Sequence, residues 1–157
     1  LDGKTFTRST PNTLEPSVGI SYDWLSVKYG RTLSRFYGWN VNNSAPGVFS
    51  AEDPQAGVTG STRGSQYAEL GASCDVMESV NVSLQLGREW IAHSTGLNWS
   101  YARIGVNKTL ADNWSLGLSV WATTRPDAFK NYAALTGNGD TDSVARTRAV
   151  VSIARAF

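Results

Sequence analysis

Hydrophobic and polar residues alternate with a period of two along most of this 157-residue chain. That period places successive side chains on opposite faces of an extended strand. Val18, Ile20, Tyr22 and Trp24 share one face of Ser17–Trp24, against Ser17, Gly19, Ser21 and Asp23. After a reversal around Asp23–Leu25, the residues Leu25, Val27 and Tyr29 oppose Ser26, Lys28 and Gly30 in a segment running to Tyr37, with the pattern blurring at Arg31–Arg35. Gln66–Val76 sets Ala68, Leu70, Ala72, Cys74 and Val76 against Tyr67, Glu69, Gly71, Ser73 and Asp75. Val80, Val82, Leu84 and Leu86 follow, opposite Asn81, Ser83, Gln85 and Gly87. In Asn98–Lys108 the apolar set is Ala102, Ile104 and Val106, and the polar set Tyr101, Arg103, Gly105 and Asn107. Trp114–Thr123 and the terminal Ala145–Phe157 complete seven predicted strands. No helical periodicity of useful length interrupts them.

The connections alternate in length. Those at 23–25, 77–79 and 109–113 are short, whereas 38–65, 91–97 and 124–144 are longer, and the first and last of these are rich in polar residues. Short turns at one end and long loops at the other are the asymmetry of an outer-membrane barrel. If each strand reverses direction, the short turns and the C-terminus lie at the same end. Trp24, Trp114 and Phe157 then sit at that end with apolar-face parity, where an aromatic girdle belongs. The expected fold is an all-β, antiparallel, up-and-down transmembrane β-barrel of about eight strands, seven of them legible. Residues 17–157 form that domain. Residues 1–16, with Pro11 and Pro16, read as a tail or a poorly formed first strand, with a short strand conceivable near Lys4–Arg8. Bacterial single-chain barrels have an even strand count, so the eighth strand falls to this tail, to sequence upstream of Leu1 or to a partner chain.

Composition sharpens this picture. Charged residues make up 17% of the chain, below the usual quarter, as suits a protein with a large surface not facing water. Fourteen basic and 13 acidic residues leave no basic footprint for nucleic acid. No apolar run is long enough for a transmembrane helix, no secretory leader is recognisable, and the single cysteine, Cys74, excludes an internal disulfide. The polar faces carry the most chemistry: Lys28, Glu69, Arg103 and Arg148, with Asp23, Asp75 and Glu89 nearer the strand ends. In a barrel these point into the lumen, where mixed signs form internal salt bridges or tune a weakly selective pore.

Other candidates are weaker. His93, the sole histidine, lies in a predicted outer loop without partners at motif spacing and reads as a surface residue. Cys74 reads as a small lipid-facing hydrophobe. Asn138-Gly139-Asp140-Thr141-Asp142 lacks the length and distal Glu of a calcium loop. Gly57–Gly64 lacks the Lys-Ser/Thr pair and following helix of a phosphate cradle. No enzymatic activity, metal or cofactor is expected.

Tyr67-Ala68-Glu69-Leu70-Gly71-Ala72-Ser73, Arg103-Ile104-Gly105-Val106-Asn107-Lys108, Asn113-Trp114-Ser115-Leu116-Gly117-Leu118-Ser119 and the closing Ala149–Phe157 resemble the C-terminal half of TorF-type porins, a family of bacterial outer-membrane proteins. The resemblance covers roughly residues 17–157 and implies an outer-membrane location, contact with outer-membrane lipid, and passive diffusion of small solutes or a structural barrel. It carries over no catalytic residues. Two departures stand out: no strand of the Asp-Tyr-x-x-Arg-Gly type opens the chain, and Arg155 occupies a position where the closing strand favours an apolar residue. Two other readings remain open. One is a structural or assembly component of a larger envelope complex, as a homo-oligomer or with a partner chain completing the barrel. The other is a secreted β-sandwich that binds carbohydrate through exposed Trp and Tyr.

Overall fold

In the computed structural model the described residues are 12–111, 113–124, 127–129, 132–133, 141–142 and 145–156. The elements in chain order are β1 (Ser17–Tyr22), β2 (Leu25–Arg31), a 3₁₀ turn at Phe36–Gly38, β3 (Gly57–Val58), β4 (Gln66–Met77), β5 (Val80–Trp90), β6 (Ser94–Thr95), β7 (Trp99–Thr109), β8 (Trp114–Thr123), a second 3₁₀ turn at Asp127–Phe129, β9 (Tyr132–Ala133), β10 (Thr141–Asp142) and β11 (Arg148–Arg155). Seven strands form one antiparallel sheet in the order β1-β2-β4-β5-β7-β8-β11, so every long strand pairs with its sequence neighbours. Two small two-stranded sheets, β3 with β6 and β9 with β10, sit in the long connections.

The three short turns hold the register. Tyr22 pairs with Leu25, and Met77 with Val80 across a bulge between Asp75 and Met77. Asp23 (φ 52°), Ser79 (φ 63°) and Asn113 (φ 61°) take the left-handed backbone of these reversals, and Asp and Asn tolerate that region best among residues with a Cβ. Because the side-chain period is two, this register puts all the apolar sets on one face; a one-residue slip would invert a strand.

Several boundaries differ from the sequence reading. The strand expected over Leu25–Tyr37 ends at Arg31. Beyond it Thr32 turns inward, fully buried, and Phe36 enters a core, so the blurred pattern at Arg31–Arg35 marks the exit from the sheet. The last strand begins at Arg148 rather than Ala145; Ala145 is buried, whereas Arg148–Arg155 is exposed throughout. No eighth strand joins the sheet among the described residues, but the described part of the tail is tied down: the Arg31 and Leu33 amides donate to the Pro16 and Leu14 carbonyls, extending the β1–β2 ladder. Lys4–Arg8 and Phe157 lie outside the described residues.

The long connection 38–65 is not the open polar loop its composition predicts. Phe36, Ala56, Val58, Ile91, Leu97 and Ala128 form a compact buried cluster, flanked by Trp39, Phe49, Trp99 and Phe129. Thr62 fastens it: its hydroxyl donates to the Trp39 carbonyl at 2.8 Å and accepts from the Phe36 amide at 3.0 Å. The buried core thus lies among the loops at one end of the sheet, and the faces of the sheet are arranged the other way round.

Candidate functional site

Exposure is inverted across the sheet. On β8 the polar Ser119 is 8% exposed and its neighbour Leu118 is 53% exposed. Ile104, Val151 and Ile153 are likewise exposed, while Gly105 and Gly117 on the opposite face are buried. Along the interior strands the polar face is the sheltered one, and the apolar side chains point outward. Among the described residues no second sheet covers that apolar face.

Glycine makes the sheltered face fit. A Cβ on Gly30 would overlap the Tyr67 ring, and a Cβ on Gly87 would overlap the Tyr101 ring. Each tyrosine therefore lies flat over the glycine paired with it on the adjacent strand, a packing that fills the gap a strand glycine leaves.

The structure places Lys28, Glu69 and Arg103 around one hollow of about 300 Å³ on this face, with Ser26, Ser83 and Gln85. Lys28 pairs directly with Glu69 in the β2–β4 register. The charges are held by aromatic and hydroxyl groups. The Lys28 ammonium stands 5.3 Å from the Tyr67 ring centroid. The Tyr101 hydroxyl reaches across Gly87 and donates to Glu69 Oε2. The Arg103 guanidinium lies 5.4 Å from the Trp121 centroid, and its Nη1 donates to Ser83 Oγ at 3.5 Å. Arg148 pairs with Trp121 at the edge of the same face. The tyrosines and Trp121 are the members of this set that alternation alone did not single out. Their signal was the glycine at the paired position, legible only once register is known.

Two belts edge the apolar face. At the short-turn end Trp114 pairs with Arg155, whose guanidinium lies 5.4 Å from the indole centroid. Arg155 is thus a cation–π partner of Trp114. Trp24 occupies the β1–β2 turn at the same end, 56% exposed. At the loop end Arg88 lies 5.6 Å from the Trp90 centroid and donates to Ser100 Oγ at 3.3 Å. Between these belts lies a shallow trough of about 740 Å³, with Val27, Ala68, Leu70, Leu86, Ala102 and Ala122 on its walls.

No family model, curated protein or solved structure matches this chain. The geometry alone carries the functional reading.

The minor candidates stay minor. His93 Nδ1 lies 2.7 Å from the Ser61 carbonyl oxygen, tying two loops together. Cys74 is free and exposed on the apolar face. Of the acidic segment 138–142 only Thr141–Asp142 is described, as β10; Asn138, Gly139 and Asp140 lie outside the described residues. Among the described residues no group of three His, Cys, Asp or Glu stands together for a metal ion. No helix among the described residues is long and apolar enough to cross a membrane, which leaves strands untouched as a means of crossing.

Proposed function

We propose that this chain is the wall of an outer-membrane β-barrel of porin type, with its apolar face in lipid and its polar face lining a lumen through which small solutes diffuse without chemistry. The inverted exposure carries the reading. A sheet in water buries its apolar face; one in lipid turns that face outward and satisfies its polar groups inside.

The dimensions support it. From Val80 to Arg88 on β5, and from Ser100 to Lys108 on the paired strand β7, the stretch between the belts covers nine residues, or eight steps. At about 3.3 Å per residue this is about 26 Å of strand. At a tilt of about 40° it stands roughly 20 Å tall, close to the apolar band of about 25 Å in such barrels.

The sheet's edges set a condition for closure. Six successive antiparallel pairings leave β1 and β11 running in the same direction. Closing the wall antiparallel requires an odd number of further strands, supplied by more of the same protein or by a partner chain. That requirement favours a second reading, a barrel segment within a larger envelope assembly. Closure size separates the two, because about eight strands leave a filled interior and substantially more leave a channel.

Three measurements test the proposal. Folded protein in detergent migrates faster on unheated than on heated SDS gels. In liposomes Cys74 resists a membrane-impermeant maleimide and reacts fully in urea. Liposomes holding the protein swell in small sugars if the lumen is open. A protein that stays monomeric and soluble without detergent, with Cys74 freely labelled, overturns the membrane reading.

A further inference from the structure

Glu89, near the loop end of β5, is 9% exposed, and its Oε1 is buried with no hydrogen-bond partner. A buried carboxylate oxygen without a partner is costly, so native structures rarely leave one uncompensated. Glu89 borders a cavity of about 340 Å³ together with Thr13, Glu15, Phe36, Tyr37 and Trp99. Among the described residues the wall holds two carboxylates, three aromatic rings and no basic side chain.

The rings are fixed in place. Phe36 meets Tyr37 edge-on at 4.8 Å between centroids and Trp99 at 6.1 Å. Tyr37 adopts φ 44°, a left-handed backbone that is strained for a bulky residue. Its amide donates to Thr13 Oγ1 at 2.8 Å, which holds it there. Strain retained at a cavity wall points to a use for the side chain it presents.

We propose that this cavity binds a small organic cation, an alkylated ammonium. Glu89 and Glu15 balance its charge, and the Phe36, Tyr37 and Trp99 rings take its alkyl groups. Aromatic faces attract weakly hydrated cations through the ring quadrupole. An inorganic divalent cation needs six or more oxygen ligands, which two carboxylates between aromatic walls do not supply. The volume is that of a small-molecule site. These six wall residues are contributed by one chain, so the site stands whether or not the sheet closes into a barrel.

The test uses the full chain in detergent and choline as the probe, with binding followed by tryptophan fluorescence and by calorimetry. The uncharged isostere 3,3-dimethylbutan-1-ol serves as the control. Choline is expected to bind saturably and at least about tenfold more tightly than the alcohol, a difference worth one power of ten in Kd. Glu89→Gln, checked by circular dichroism for an unchanged fold, should weaken choline at least about tenfold and erase its advantage over the alcohol. Tyr37→Leu, at an exposed position, should weaken choline with the fold intact. The proposal fails if choline does not saturate, if the alcohol binds equally well, or if neither variant changes choline binding. If Glu89→Gln does not fold, Tyr37→Leu decides alone.

Discussion

Tyr101 donates its hydroxyl hydrogen to the carboxylate of Glu69, a residue two strands away, by passing over Gly87 on the strand between them. Three consecutive strands are joined on the polar face by one side chain. The bond works only because the middle residue has no side chain of its own. It also gives a half-buried carboxylate a donor where water is restricted, and such bonds to charged groups are among the stronger ones.

Removing either end should expose the coupling. Tyr101→Phe leaves Glu69 without this donor and should cost about 1–3 kcal/mol. Glu69→Gln should cost less in the Tyr101→Phe background than alone. A double-mutant cycle by urea unfolding in detergent should return a coupling of about 0.5–3 kcal/mol. A coupling indistinguishable from zero would show that the bond is incidental.

Gly87→Ala places a Cβ inside the Tyr101 ring. Overpacking of this kind typically costs about 1–3 kcal/mol. The penalty should shrink when Tyr101 is also truncated to Ala, since the ring is the obstacle. If Gly87→Ala costs the same in both backgrounds, the cost is strand propensity or backbone and not the tyrosine.

Leu118 and Ser119 distinguish lipid from water as the outer solvent. Leu118→Arg should destabilise the folded protein in lipid by about 2–4 kcal/mol, the cost of a charge near the middle of the bilayer. For a water-soluble protein the same change at an exposed position should stay within about 0.5 kcal/mol. Unfolding titrations in liposomes read this difference directly.

Arg155 over Trp114 should anchor the last strand at the short-turn end. A cycle of Trp114→Ala and Arg155→Ala is expected to give about 0.5–1 kcal/mol of coupling, the range for an exposed cation–π pair. Additive effects would mean that the two residues touch without stabilising one another.

Much of the sheet was legible before any coordinates. Gln66–Val76 and Trp114–Thr123 were bounded to within a residue, because alternation is a local property of a strand with two unlike faces. The faces holding Lys28, Glu69 and Arg103 followed from parity alone. Where the pattern failed, the partners were distant. Thr32 and Ala145 read as strand residues, yet they are buried against segments remote in sequence. Glu89 was visible as a charge near a strand end, but nothing nearby revealed that Tyr37 and Trp99 close around it.

The sequence by itself determined where the strands run, where they turn and which side chains share a face, since each depends on neighbours one or two residues away. Only the tertiary structure decided what those faces meet. Register set Tyr101 over Gly87, the connections after β2, β5 and β8 folded into a shared core, and side chains from three other segments gathered around Glu89. Those contacts form between residues tens of positions apart, and the free energy that selects them comes from burial and pairing across the fold, which no local pattern records.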